Sequence, residues 1–244
     1  MPIEDAPSER ASSGLAQRVY VSAAAENARA VARFLPRRPG CTLLDVGCAD
    51  GSITTAIAER VGAGRVLALE LSDDFIAHAR TRGIDVRKAD ISARWPLEDE
   101  SVDVVHSNQV IEHLAETDRF MSEISRVLKP DGYAVISTNN LASWHNIFSL
   151  VLGWQPLPAH VSDRVVAGNP LALDEPEYAE GTHRHLRIFT SRALSALAEA
   201  NGLILDRAAT SGYYPFGARI SRVLCRLDGR HAAYLIQRYR RAPS

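Results

Sequence analysis

From residue 42 onward the chain alternates short apolar runs with stretches whose apolar residues recur every three or four positions. "TLLDV", "RVLALE", "IDVRKAD", "SVDVVHS" and "YAVISTN" read as five strands, and "SITTAIAER", "DDFIAHARTRG" and "ETDRFMSEISRVL" as the helices between them. Phe120, Ile124, Val127 and Leu128 share one face of the last helix, and "KPDG" reads as the turn before strand five. Strand and helix in regular alternation predict a parallel sheet covered on both faces, with right-handed crossovers. Upstream, Val19, Ala23, Ala30, Val31 and Phe34 predict a helix from Leu15 to Leu35, stopped by "PRRPG".

After strand five the rhythm stops. "LASWHNIFSLVLGW" is helix-like, and the Pro-, His- and Gly-containing segment that follows runs to residue 187, a connection long enough to predict a substrate lid. "TSRALSALAEANG" resumes as a helix capped by Thr190 or Ser191, and "LILDRAAT" and "HAAYLIQRYR" read as closing strands. The expected organisation is a helical lead over 1–40, a ligand-binding core over 41–140, a lid over 141–187 and completion of the sheet over 188–244. The fold class is α/β: a Rossmann-like, doubly wound, mostly parallel seven-stranded sheet with helices on both faces and a lid insertion after strand five.

Composition narrows the partners. With 244 residues, 46% hydrophobic content and a formal net charge of -1, the chain can bury a large core and carries no overall basic excess for nucleic acid. The cysteines Cys41, Cys48 and Cys225 form neither a C-x-x-C pair nor a ligand spacing, and the start is polar, so a cytoplasmic protein without a membrane span is expected. From Phe216 onward Arg219, Arg222, Arg226, Arg230, Arg238, Arg240 and Arg241 stand against one acid, Asp228. A helix there with Ile220, Val223 and Leu227 on one side could touch an anionic lipid surface or an acidic acceptor, or be a solvated basic face on a packed helix.

Ligands of such sheets sit beyond the carboxyl ends of the strands, where Gly47, Glu70, Asp90, Asn108 and Asn139 fall. The first of these ends, "LLDVGCADGS", has glycines at 47 and 51 but lacks the full dinucleotide fingerprint, and its acids Asp45 and Asp50 oppose a pyrophosphate. A ligand with positive charge at this end is expected.

"LLDVGCADG" resembles the first motif of class I S-adenosylmethionine-dependent methyltransferases. The likeness extends from about Cys41 to Asn140 and includes "KADI", "SVDVVHSNQVIEHL" and "EISRVLKPDGYAVISTNN", which resemble later motifs of the subgroup acting on quinone rings and other small molecules. The resemblance implies S-adenosyl-L-methionine as cofactor. Its methionine end would lie on Asp45, Gly47, Cys48, Ala49 and Gly51, its ribose on Glu70, and its adenine against Leu71, Asp90 and Ile91, with Asn108 and Gln109 completing the site. Ala49 stands where the family usually has glycine, adding a methyl group close to the cofactor. Some relatives hold a divalent metal through E-x-x-E-H; here the run is Gln109, Glu112, His113, whose neutral first member argues against a metal.

The implied function is methyl transfer to a small molecule, preferably at an oxygen, with His113 beyond strand four as the candidate base, or else as a residue that only bonds a backbone carbonyl. Trp144, His145 and Tyr178 are candidates for the acceptor pocket, or for the core. The lid histidines His145, His160, His183 and His185 show no ligand spacing among themselves. A lipid-linked or glycan acceptor, a non-catalytic regulatory subunit and a nucleotide-dependent oxidoreductase are the rival functions. A monomer or homodimer is expected.

Overall fold

The computed structural model describes residues 15–162, 165, 167–171 and 184–243, with the side chains of the first helix described from Ser22 on. Tyr178 and His183 lie outside the described residues. Along the chain come α1 (Leu15–Phe34), β1 (Thr42–Val46), α2 (Ser52–Val61), β2 (Arg65–Glu70), α3 (Asp73–Thr81), β3 (Asp85–Lys88), β4 (Val102–Asn108), α4 (Thr117–Val127), β5 (Leu128–Asn139), α5 (Trp144–Val151), α6 (Ser191–Ala200), β6 (Leu203–Ser211), α7 (Ala218–Leu227) and β7 (Tyr234–Arg241).

The seven strands form one sheet in the order β3-β2-β1-β4-β5-β7-β6. β1 to β5 are parallel, while β7 runs antiparallel to both β5 and β6. Strand alternation sorts side chains between two cores. Leu44, Val105, Ala134 and Ile136 point toward α4 and α6, where Phe120, Ile124, Leu194 and Ala198 meet them. Leu43, Val104, Tyr133 and Val135 point toward α1 and α2, against Val31, Leu35, Ile57 and Val61. Each fully buried leucine here contributes roughly 1.5–3 kcal/mol of transfer free energy, so a register slip of one residue would reverse both faces at large cost.

Two elements depart from the sequence expectation. "KPDG" is not a separating turn: β5 begins at Leu128, which pairs with Val102, and the register shifts before Tyr133 pairs with Val104. The extra residues bulge outward, held by Arg38 on Asp131 and Lys129 on Asp103. Gly132 sits so close that an added Cβ would lie 2.7 Å from Leu128 Cδ1. The second departure is in α5, where Asn146 and Ser149 are buried while Phe148, Leu150 and Val151 face outward. Thr190 is the cap of α6, its side chain accepting a hydrogen bond from Ala193 N. Among the described residues no helix is long and apolar enough to cross a membrane.

Candidate active site

The loop after β1 is shaped by left-handed backbone. Gly47 and Gly51 have φ of 76° and 79°, and Ala49, despite its Cβ, has φ of 47°. A Cβ at Gly47 would lie 2.6 Å from Val110 Cγ2, so the loop packs against the segment beyond β4. Gly51 opens α2 with no cap of its own, and the first helical N–H, that of Ser52, donates to Asp50 Oδ1 at 3.0 Å.

Glu70 holds this loop in place. Its Oε2 accepts a hydrogen bond from Ala49 N at 3.0 Å and its Oε1 accepts from Leu71 N and Ser72 N at 2.7 and 3.1 Å. That contact anchors a non-glycine residue in a conformation that costs about 1 kcal/mol or more. Leu71 is 59% exposed at the mouth, with Asp90 exposed and Ile91 half-buried beside it. Asp90 Oδ1 accepts from Ser92 N.

The two loop carboxylates part company. Asp45 is buried, with one oxygen bonded by Thr54 Oγ1 of α2 and the other 2.7 Å from His106 Nδ1 of β4. It therefore stands beneath the loop as a brace between β1, β4 and α2. Asp50 faces outward, bonded by Ser52 and by Arg82 at 2.9 Å, and the Ser52 hydrogen bonds hold its carboxyl below the usual range. Cys48 is buried, and burial, with the negative charges of Asp45 and Glu70, pushes its thiol up to about 12, so it stays neutral.

At the end of β4, Asn108 Oδ1 accepts from Asn27 Nδ2 of α1 at 3.0 Å. Gln109 follows with φ of 58°, its backbone N–H on Ser137 O and its Nε2 buried without an acceptor among the described residues. The turn Ile111–His113 then carries two titratable groups. Glu112 is fully buried and accepts hydrogen bonds from Thr138 Oγ1 at 2.9 Å and Asn139 Nδ2 at 3.3 Å, while burial pushes its carboxyl up to about 7. Its backbone oxygen accepts from Leu186 N and Arg187 N, docking the chain before α6 onto the site.

His113 Nδ1 lies 2.8 Å from Arg184 O, a contact that places the proton on Nδ1 and makes Nε2 the basic nitrogen. Sequence spacing did not anticipate its neighbours. His185 packs 4.8 Å from the His113 ring and stacks on His160, and ligand atoms of Glu112, His113 and His185 lie within 4.8 Å of one another. The long connection thus returns His185 to His113, a meeting across the fold that spacing among the later histidines does not address.

Trp144 and His145 sit at the start of α5. Trp144 Nε1 donates to Asp228 Oδ2 and its ring lies 4.5 Å from His231. His145 meets Tyr214 edge to face at 4.9 Å, and burial pushes its imidazole down to about 4. Residues that sequence reasoning did not single out are His106, Thr54 and Asn27, each polar and buried at a position the apolar pattern assigns to the core.

A Rossmann-like sheet with a glycine-bearing loop and an acid at successive strand ends defines a protein of the nucleoside-ligand-binding α/β class. Within that class, residues 44–136 match the family described as "Methyltransferase domain". A probable S-adenosylmethionine-dependent methyltransferase of Mycolicibacterium smegmatis is 41% identical over 110 residues, covering 44% of this chain and 42% of the relative. A ubiquinone biosynthesis O-methyltransferase of Sinorhizobium fredii is 34% identical over 152 residues, covering 58% of this chain and 60% of the relative. The chain spans about half the length of the curated relatives it matches. Among solved structures, an S-adenosylmethionine-dependent methyltransferase from Mesorhizobium loti has the same fold, with a TM-score of 0.61 at 20% identity over 87% of this chain and 96% of that one. Residues 44–136 thus match a methyltransferase domain, and S-adenosylmethionine is the cofactor that likeness implies.

Proposed function

We propose that this protein transfers a methyl group from S-adenosylmethionine to an oxygen of a small-molecule acceptor. The observation that carries the reading is the loop at 47–51, pinned by the Glu70 carboxylate at the end of β2. When bound, the cofactor supplies an electrophilic methyl on a sulfonium.

The residues present fit that group. Glu70 Oε2, with a single backbone donor, has acceptor capacity left for a ribose hydroxyl, and the exposed Leu71 with Ile91 offers an apolar face to a purine. The buried Gln109 Nε2 has a donor to give. The rim at 47–51 and Asp90 complete the contacts, while Asp45 acts from beneath by fixing α2 through Thr54.

His113 takes the acceptor's proton at Nε2. Its Nδ1 contact with Arg184 O fixes the ring's tautomer and orientation, which supports that role. Glu112, on the same turn, anchors the returning chain through Leu186 and Arg187, and the segment at 141–187 serves as the lid that excludes water. Trp144, His145 and Tyr178 contribute to the acceptor side. The neutral Gln109 at the first position of the run that ends in Glu112 and His113 supports a reaction run without a metal.

The test is transfer of labelled methyl from S-adenosylmethionine by purified protein into a cell extract divided into water-soluble, lipid, glycan and macromolecular fractions. Label in the water-soluble fraction, blocked by S-adenosylhomocysteine, is expected. Label confined to lipid or glycan would move the acceptor class, and cofactor binding with no label anywhere would overturn the catalytic reading. With the acceptor in hand, His113→Gln is expected to lower kcat by about 100-fold, as removal of a general base does. Retention of full turnover would remove His113 from that role.

A further inference from the structure

On the far edge of the sheet from β3, a cavity of about 940 Å³ runs alongside β6 between α1, the start of α6, and α7. Five exposed arginines from four elements line it: Arg33 of α1, Arg192 of α6, Arg222 and Arg226 of α7, and Arg230 of the turn that follows. One carboxylate, Glu26, lines the same space; it is only 4% exposed and lies 3.9 Å from Arg222.

Elsewhere in the molecule some guanidinium groups meet acids, while others, such as Arg80, Arg87 and Arg187, donate to backbone carbonyls. Arg38 reaches Asp103 and Asp131, Arg82 reaches Asp50, Arg126 reaches Glu123 and Asp99, and Arg238 reaches Asp206. In the cavity, Arg33, Arg192, Arg226 and Arg230 have no carboxylate within 4.0 Å among the described residues. The floor between them is small and neutral, with Ala208, Ala209 and Thr210 of β6, and the Cys225 thiol there is kept protonated because burial pushes it up to about 11. Among the lining residues Glu26 alone is acidic, against the five arginines.

We infer that this cavity binds a phosphate-bearing ligand, held by the arginines that line it at the β6 edge. Guanidinium forks pair with phosphate oxygens in bidentate fashion. Forks arriving from four elements suit a group whose oxygens are disposed in three dimensions, as in phosphate, rather than the single plane of a carboxylate. The volume lies within the range of small-molecule sites, which leaves room for an organic body over the alanines. The cavity also touches Ala142 and Thr190, on the segments that leave β5 and enter α6, so its ligand would border the proposed acceptor side. The inference stands independently of methyl transfer, because it concerns binding alone.

Tripolyphosphate is the probe, titrated calorimetrically into the full chain. One-to-one binding is expected, weakened about tenfold or more in the Arg33→Ala/Arg226→Ala double variant and unchanged in Arg65→Ala, an exposed arginine of β2 toward the opposite edge. Arg192→Gln, a change at an exposed position, keeps the test informative if the double variant is poorly folded; thermal unfolding and S-adenosylhomocysteine binding report that. No binding by the unaltered protein, or equal weakening in Arg65→Ala, would overturn the site. Vesicles containing phosphatidylglycerol separate the two sources of phosphate. Cosedimentation reversed by tripolyphosphate would assign a lipid headgroup, and tripolyphosphate binding without cosedimentation a soluble phosphorylated compound.

Discussion

Gly47 shows how one position can serve both fold and site. Its φ of 76° favours glycine, and an added Cβ would lie 2.6 Å from the stiff, β-branched Val110. Gly47→Ala is therefore expected to cost about 2–4 kcal/mol, combining left-handed strain with overpacking, and to weaken S-adenosylhomocysteine binding. Chemical denaturation and calorimetry would measure the two effects. Two buried titratable groups make opposite contributions to pH dependence. The Glu112 carboxyl, raised from 4.5 to about 7, stays protonated in the folded chain where the unfolded chain has ionised. Its contribution to stability is full below pH 4.5 and is lost as the pH rises through about 7. The His145 imidazole, lowered from 6.5 to about 4, contributes stability that is present above 6.5 and is lost as the pH falls through about 4. Melting temperatures across this range should show opposite changes of slope in Glu112→Gln and His145→Asn. Slopes identical to that of the unaltered protein in both variants would refute the assignment. The strand-end residues Glu70, Asp90 and Asn108 were legible because their positions follow from strand period and length. His106 was not, because a polar residue inside an apolar run does not reveal the partner that satisfies it, and Glu112 was legible only as part of a motif, without its bonds to Thr138 and Asn139.

Elements carry a different kind of information. The strands and helices of the first half stand almost where apolar period placed them, since each buries a stripe its own sequence defines. The bulge at 129–132 escaped because Pro and Gly signal a break in backbone direction and do not distinguish a turn between strands from an outward loop within one. α1 was legible as a helix, yet its role was not. Asn27, 1% exposed, donates to Asn108 Oδ1 and Ser137 Oγ and accepts from Ser211 Oγ at 2.7 Å. One side chain thus joins α1 to the ends of β4, β5 and β6. Asn27→Ala is expected to cost roughly 2–4 kcal/mol, because it strands several buried polar groups at once. The denaturation midpoint should fall, and cofactor affinity should fall with it as Asn108 loses its tether. Stability lost with affinity unchanged would show that the tether does not reach the site.

For the whole molecule, a net charge of -1 conceals local imbalance: five arginines gather at the β6 edge around one carboxylate, Glu26. Totals cannot disclose such an arrangement, because it depends on which helices the fold lays side by side. The long connection after α5 was illegible for a related reason. It lacks a period, so the return of His185 to His113 followed from nothing in the spacing. Ligand linkage offers a test of the whole assembly. S-adenosylhomocysteine at about 100 times its Kd should add roughly 2.7 kcal/mol to stability, whereas NAD at the same concentration should add none. Stabilisation by NAD instead would redirect the loop at 47–51 to a dinucleotide.

The antiparallel placement of β7 beside β5 also determines where the chain can be cut. Residues 44–136 carry the family's likeness, yet a fragment with those limits would stop inside β5 and discard the strand that covers Ala134 through Asn139. Its last strand would be a bare, strongly apolar edge, the kind of surface on which copies stack into aggregates. The stretch that relatives share is therefore not an autonomous folding unit, and expression trials should retain everything through Arg241.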